Sequence, residues 1–426
     1  MKRVFFFSLS CLCFAYGFCQ SYGKAQELWD RGCDLFLKGD TVHGERLIWK
    51  AAKKGHARAQ YQYGIQLMSV KMQKNWQWVR KAASQDEPYA QRFIGNAYCQ
   101  GWPGIPQDSV EGLQWMEKAA ENGHFMSQIE MGDYYLNKMD TINAIKFYTL
   151  AYQLSHEKPD YIWKFRYQLY LVQAVKNLAI FHYNGNGTPR DVKTAISYWH
   201  DATDWNDAES AYYVGTLYME GTEIEQDIPL GFRYMRFAAN NGYVDAQAYL
   251  GDCYMNGTGV EKDSLTAIQW YKQAAEAGHV GAMQELVWRY HDAENYDSTI
   301  YWGCQPECRD SALVQFYVGN AYYYKTDYDQ AVQWWRKASD GGELAAYYNL
   351  GIVYYGQEYG MQNLPLAIGY WKLGAEQGSP KCQYQYGTIL QDGFNLKKDR
   401  KQAIQWLKLA AENGNEQAQE ELKKNK

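Results

Sequence analysis

Strong positive charge is the first thing missing from this 426-residue sequence. The formal net charge is −5, and no strongly basic stretch could neutralise a run of phosphates. Nucleic acid is therefore not expected as a partner. Long apolar runs are missing too: the one at residues 4–18 is too short for a comfortable bilayer span, so no integral membrane segment is expected. The eight histidines form no H-E-x-x-H pattern, and there is no C-x-x-C. His56, His124 and His279 each follow a glycine at one recurring position, which a turn explains. Neither a metal nor a cofactor is expected. The S-x-x-K at Ser155-His156-Glu157-Lys158 has no S-D-N or K-T-G to accompany it, which argues against an acyl-transfer enzyme.

The first nineteen residues differ from the rest. Lys2 and Arg3 precede the apolar run, and Ala15, Gly17 and Cys19 put small residues at cleavage-determining positions. This is the build of a signal peptide at residues 1–19, with a linker at 20–24, and it predicts an exported protein, periplasmic or secreted. Lipid attachment through Cys19 is the alternative, opposed by bulky Phe18 where a small residue is expected. Cleavage would remove Lys2 and Arg3 and move the net charge to −7.

Beyond residue 24 the chain is organised by two columns. Gly32, Gly64, Gly95, Gly132, Ala179, Gly215, Gly251, Val287, Gly319, Gly351 and Gly387 form the first. Leu47, Trp78, Trp115, Phe147, Tyr198, Tyr234, Trp270, Trp302, Trp334, Tyr370 and Trp406 form the second. Every step from the second column to the next member of the first is seventeen residues, except from Phe147 to Ala179. Within a repeat the spacing is instead near fifteen or nineteen, a difference of about one helical turn. One joint is constant and the other is free, as a helical solenoid requires. In the clearest unit, residues 246–281, Ala246, Tyr249, Leu250, Tyr254 and Met255 recur at helical spacing, and Gly257 stops that helix. Asp263 or Ser264 can cap a second helix that buries Ala267, Ile268, Trp270, Tyr271, Ala274 and Ala275.

The unit reads as an L-G-x-x-Y helix, a G-x-G-V-x-x-D loop, a W-Y-x-x-A-A helix and a terminal G-H. It is carried by Leu250-Gly251, Tyr254, Gly257, Gly259-Val260, Asp263, Trp270-Tyr271, Ala274-Ala275 and Gly278-His279. This pattern resembles the Sel-one-like repeat family, an αα-hairpin branch of the tetratricopeptide superfamily. The resemblance implies an all-α, right-handed αα-hairpin solenoid of about eleven repeats over residues 25–415, closed by a polar C-terminal cap at 416–426. Repeats one, two, four, eight and nine have the shorter loop, and repeat eight keeps neither its glycine nor its paired alanines. An insertion near residues 153–170 breaks the register, with Pro159 and Asp160 able to start a helix through Trp163, Phe165, Tyr167, Tyr170 and Val172. It is either an oversized helix or bend, or a docking surface.

Such a fold implies a non-catalytic protein-protein interaction scaffold of the bacterial cell envelope, binding a peptide or helix of a protein partner on its concave face. The alternatives are a β-lactamase-like envelope hydrolase, a property of cysteine-rich relatives whose bridge in each repeat is missing here, and a glycan-binding solenoid. The aromatic column and Tyr98, Tyr135, Tyr218, Tyr254, Tyr322 and Tyr354 are expected in the core. With 39 tyrosines in the chain, Tyr213, Tyr323, Tyr324, Tyr348, Tyr355 and Tyr359 are left beside core positions and are expected to point partly outward, as recognition groups. Directly after the column glycine stand Asn96, Asp133, Thr216, Asp252, Asn320 and Thr388. They form either a partner-binding ladder or a solvated helix face. Cys33, Cys99, Cys253 and Cys382 lie in repeats too far apart to pair, whereas Cys304 and Cys308, around Pro306, could form a local disulfide.

Overall fold

The structure, a computed structural model, describes residues 23–67, 72–158 and 167–424. The expected signal peptide and Pro159, Asp160, Trp163 and Phe165 of the insertion lie outside the described residues. Among the described residues the protein is wholly helical, with 23 helices and no strand. It divides into two compact units, Met1–Leu217 with Thr222–Glu225, and Tyr218–Gly221 with Gln226–Lys426.

Unit one pairs its helices in sequence: α1 (Gly23–Leu37) with α2 (Thr41–Lys53), α3 (Ala57–Leu67) with α4 (Met72–Ala83), and α5 (Pro88–Gln100) with α6 (Ser109–Glu121). Then α7 (Phe125–Asn137) pairs with α8 (Thr141–Glu157), and α9 (Gln168–Asn184) with α10 (Val192–Asp204). The unit boundary falls within α11 (Ala208–Glu220). Unit two continues with α12 (Ile228–Asn240) and the pairs α13 (Val244–Asn256) with α14 (Ser264–Glu276), and α15 (Val280–Asp292) with α16 (Tyr296–Gly303). It ends with α17 (Ala312–Tyr324) and α18 (Tyr328–Asp340), α19 (Leu344–Tyr355) and α20 (Leu364–Glu376), α21 (Pro380–Asp392) and α22 (Arg400–Glu412), and the single helix α23 (Glu416–Lys424).

The constant joint has a physical cause. Each second helix except α8 and α16 ends on one residue of positive φ, usually glycine, such as Gly278 at 93°. The amide after it then reaches back to the first alanine of the pair: His56 to Ala51, His124 to Ala119, His279 to Ala274, Glu343 to Ala338. This is a Schellman-type ending, which tolerates no extra residue. The second alanine's carbonyl takes a side-chain donor from the next helix. Gln60, Gln91, Gln128, Gln247 and Gln383 donate Nε2 to Ala52, Ala83, Ala120, Ala239 and Ala375 at 3.1–3.3 Å. Each of these glutamines lies four residues before a column glycine. Tyr347, in the same position, uses its hydroxyl on Ser339 O at 2.9 Å.

The free joint is closed by the second helix's cap. Asp263 accepts from the amides of Leu265 and Thr266 at 3.0 and 3.1 Å, and its own amide donates to Tyr254 O at 2.8 Å. Asp263 is thus the cap, and Ser264 begins the helix. Asp108, Asp191, Asp227 and Asp399 serve the same purpose in other long loops, and Asp40, Asp140 and Asp327 in short turns.

The column glycine admits the residue after the aromatic column. A Cβ on Gly251 would meet the Tyr271 ring, on Gly351 the Trp371 indole, and on Gly95 the Met116 Cγ at 2.8 Å. That admitted residue holds the deepest position: Ile48, Val79, Met116, Tyr148, Trp199, Tyr271, Trp335, Trp371 and Leu407 are all buried. The aromatic column itself is half-buried, except for Phe147 and Trp302, which corrects the expectation that it forms the core. Lysines three residues on lie over Trp78, Trp115 and Trp334 at 5.2, 4.7 and 4.3 Å from the ring centres. Of the tyrosines three after the glycine, Tyr98 and Tyr354 are buried, and Tyr135, Tyr218 and Tyr354 stack on the aromatic column.

Repeat eight keeps this packing by exchange. Val287 replaces the glycine, and Gly303 comes directly after Trp302, where the other repeats carry the large residue. The insertion lengthens α8 and α9 to 17 residues each, against 13 for most helices. Leu154, Leu171 and Val172 are buried there, while Leu169 and Tyr170 stay exposed. Helix α1 already begins at Gly23, inside the expected linker. Helix α23 buries Ala418 against Leu407 and Ala410.

Candidate functional site

In unit two, the N-terminal turns of α19, α21 and α23 surround an open groove of about 740 Å³. Tyr348 and Tyr384, each three residues before a column glycine, line it together with Pro380, Lys381, Gln385 and Gln417. The Lys381 ammonium lies 5.4 Å from the centre of the Tyr348 ring. Other lining groups are already committed. Asn413 donates to Gln383 Oε1 at 3.1 Å, Asn415 accepts the amide of Ala418 at 2.8 Å, and Glu343 accepts that of Ala345 at 3.1 Å. Gln385 and Gln417 make no side-chain hydrogen bond among the described residues, and no histidine, cysteine or aspartate lines the groove. Two phenol rings, two uncommitted amides and one cation suit the main chain and side chains of a peptide.

The corresponding helix starts in unit one are filled. The Arg58 guanidinium pairs with Glu87 at 2.5 Å and lies 3.5 Å from the centre of the Tyr89 ring. Tyr89 meets His124 edge-on at 4.7 Å, and Arg92 pairs with Glu130 at 2.7 Å. His124 caps α7 by accepting the Ser127 amide at 3.1 Å, and His56 and His279 accept in the same way from Ala59 and Ala282. Burial pushes the His124 ring down to about 3 and His56 to about 4, with nearby Arg58 adding to the effect on both.

The residues predicted from sequence as partner-binding do not converge on one place. Asp133, Asp252 and Asn320 are engaged internally. Tyr148 donates to Asp133 at 2.6 Å, Tyr271 to Asp252 at 2.7 Å, and Trp335 Nε1 to Asn320 at 3.0 Å. Burial, then the carboxylate, raises the Tyr148 and Tyr271 phenols far above their ordinary value. Asn177 and Asn349, from the next first helices, complete the struts at 3.2 and 3.1 Å. Thr216 and Thr388 turn their hydroxyls onto carbonyls of their own helices, and Asn96 is half-buried. Tyr213 stacks on Trp199 at 5.2 Å. Tyr323, Tyr324 and Tyr355 sit at the hairpin-loop end, away from Tyr348. The Tyr323 hydroxyl lies 3.1 Å from that of Tyr359, and Tyr324 stacks on Tyr296 at 5.1 Å. Only Tyr348 of the predicted set lines the groove. Tyr384, Lys381, Gln385 and Gln417 were missed, although Tyr384 and Tyr348 share a register position that could have pointed to them.

Cys304 is exposed, and Cys308 is buried with its thiol donating to Trp302 O at 3.2 Å. They are separate thiols here, and a bridge would require Cys308 to leave that carbonyl. Ser155 is buried and donates to Tyr152 O at 2.6 Å. No helix among the described residues is long and apolar enough to cross a membrane.

The repeating geometry has a counterpart among known proteins. Residues 88–124, 126–156, 172–204, 208–243, 244–279, 314–343, 344–379 and 380–415 each match the Sel1 repeat. The chain belongs to the Sel1-repeat family. Repeats of this family generally serve as non-catalytic protein-interaction scaffolds. Residues 23–87 and 280–313 fall outside the matches, yet α1 to α4 and the exchanged pair α15 and α16 form hairpins all the same. Among solved structures, c5321, a protective antigen of uropathogenic Escherichia coli with an SLR fold, is similar at 24% identity and a TM-score of 0.62. That likeness covers 97% of this chain and 89% of the other, and it speaks to the fold. A Sel1 repeat protein from Oxalobacter formigenes is 25% identical, with a TM-score of 0.42, over 56% of this chain and 95% of its own. No curated protein matches the chain.

Proposed function

We propose that this Sel1-repeat protein is a non-catalytic scaffold of the bacterial cell envelope, exported by residues 1–19, that holds a peptide or helix of a protein partner in the groove of unit two. The observation that carries the reading is the contrast between the two units' helix starts. In unit one they are occupied by Arg58, Glu87, Tyr89 and His124, whereas in unit two they leave a groove of about 740 Å³ edged by tyrosines and uncommitted amides. A buried Ser155, bound to a main-chain carbonyl, does not favour the hydrolase alternative.

The test is a photo-crosslinking amino acid placed at Gln385 and, separately, at exposed Lys272 on α14, in cells expressing the full chain. One partner should be captured from Gln385 and not from Lys272. Tyr348→Ala with Tyr384→Ala should reduce that capture at least about tenfold, as the loss of two aromatic anchors does. Equal capture from both positions, or capture indifferent to the tyrosines, would remove the groove from the mechanism.

A further inference from the structure

The hairpin loop between α21 and α22 carries more than its closure needs. Gly393, at φ 75°, ends α21, and Asp399 caps α22 by accepting the Gln402 amide at 2.9 Å while its own amide donates to Leu390 O at 3.0 Å. Those two residues do what their counterparts do in the other long loops. Between and just after them stand Phe394 and Leu396, exposed by 45% and 36%, and Lys397, Lys398, Arg400 and Lys401, all exposed. None of the four cations has an ion pair among the described residues, and the only carboxylate in the stretch, Asp399, is engaged as the cap. Tyr355, the last residue of α19 and 41% exposed, meets the Phe394 ring at 5.9 Å and extends the apolar part of the patch.

Helix stability does not account for these cations. Arg400 and Lys401 occupy the first turn of α22, where the helix dipole disfavours positive charge. Nor does loop geometry require them: the same loop reads Thr222-Glu223-Ile224-Glu225-Gln226 before Asp227 and Val260-Glu261-Lys262 before Asp263. In a chain of net charge −5, residues 397–401 carry four cations in five positions, a short basic cluster that the expectation of no basic stretch overlooked, and it stands beside exposed aromatic and aliphatic side chains.

We infer that this loop is a peripheral docking site for an anionic lipid surface. The lysines and arginine meet the phosphates, while Phe394, Leu396 and Tyr355 enter the headgroup boundary. The apolar members decide between ligands. A polyanion such as nucleic acid or an acidic protein tail would use the cations and leave Phe394 and Leu396 in water, whereas a bilayer rewards both sets. Attraction of this kind acts over about a Debye length and is screened by salt. Docking here is independent of the groove in unit two, and it would hold the scaffold at a membrane without a spanning segment.

The test is co-sedimentation of the purified full chain with vesicles of phosphatidylcholine alone and of phosphatidylcholine mixed with phosphatidylglycerol. Binding should be stronger to the anionic vesicles and fall as ionic strength rises from about 0.05 to about 0.5 M. Lys397→Glu with Lys398→Glu should weaken it at least about tenfold, and Phe394→Ser with Leu396→Ser should weaken it severalfold. Tyr348→Ala with Tyr384→Ala should leave it unchanged, which separates this site from the groove. All changed positions in the loop are exposed, and unchanged thermal unfolding of each variant would show that the fold persists. Equal binding to both vesicle types, or anionic binding that ignores the charge reversals, overturns the proposal. So does a pattern in which heparin competes and Phe394→Ser with Leu396→Ser is silent, because the cations would then be reading a polyanion.

Discussion

In five of the joints a buried glutamine amide satisfies the backbone in a way that neither a hydrophobic nor a charged side chain could. Gln91 is fully enclosed, gives Nε2 to Ala83 O at 3.2 Å and receives Asn122 Nδ2 at 3.0 Å, so one side chain ties three successive elements. Gln91→Leu fits the volume but leaves a buried carbonyl and a donor unmatched. It should cost about 1–3 kcal/mol, read from the shift of the urea midpoint. A change within error would mean that water replaces the amide. At the same scale, His124 can cap α7 only when its ring is neutral. The folded state therefore binds this proton less readily than the unfolded chain, whose histidine has a pKa of about 6.5. Stability should be complete above that pH and decline as pH falls towards about 4 for His56 and about 3 for His124. His124→Asn keeps an acceptor at the cap and should flatten the dependence between pH 7.5 and 5, and an undiminished slope would acquit His124.

Helices approach one another here by matching a missing side chain to a large one. Gly251 receives Tyr271, Gly319 receives Trp335, and Gly351 receives Trp371. Where the column holds Val287, the small residue moves to the partner helix as Gly303, whose bare Cα lets Val318 and Val314 of the next helix as well as Val287 close in. Gly251→Ala should therefore destabilise by about 1–3 kcal/mol, because the tyrosine must move and its bond to Asp252 goes with it. At Gly387→Ala the new methyl meets the Leu407 side chain at 3.1–3.2 Å and the Ala403 carbonyl at an ordinary 3.4 Å, and the change should cost clearly less in the same melts. Equal costs would show that the glycines serve the backbone and not the packing. The aspartate caps obey the same logic of local closure. Hydrogen bonds from nearby side chains and amides hold Asp140, Asp191 and Asp263 below the ordinary carboxylate range, so these caps fail only as pH falls through that lowered range.

At the scale of the molecule, six cysteines remain beyond the first nineteen residues, and burial divides them. Cys33, Cys253, Cys308 and Cys382 are enclosed, and burial pushes the Cys308 and Cys382 thiols up to about 11 and Cys253 up to about 12. A chain lacking residues 1–19 should show one fast thiol towards a disulfide reagent at pH 8.5, lost in Cys304→Ser, with Cys99 slower and the rest released by denaturant. No fast thiol, with two fewer in total, would mean that Cys304 and Cys308 bridge in solution. The two units also differ in what they leave open. Unit one fills its first-helix starts with an Arg58–Glu87–Tyr89 cluster, and unit two leaves a groove at the equivalent positions of α19, α21 and α23.

The helical class, the hairpin order and the family could be read from the chain, because spacing is preserved in one dimension. The constant seventeen-residue step from Trp270 to Val287 or from Tyr370 to Gly387 reflects a turn that admits no insertion. What the spacing could not reveal was orientation within a turn. One residue of rotation puts Tyr271, not Trp270, against Gly251, and it turns Asp252 from a free ladder position into the acceptor of Tyr271. The groove was invisible for a related reason. Tyr348, Lys381, Tyr384 and Gln417 are scattered over three repeats, and only the stacking of α19, α21 and α23 brings them together. Local sequence determines where backbone hydrogen bonds close, whereas which side chains share a surface depends on contacts between residues dozens of positions apart.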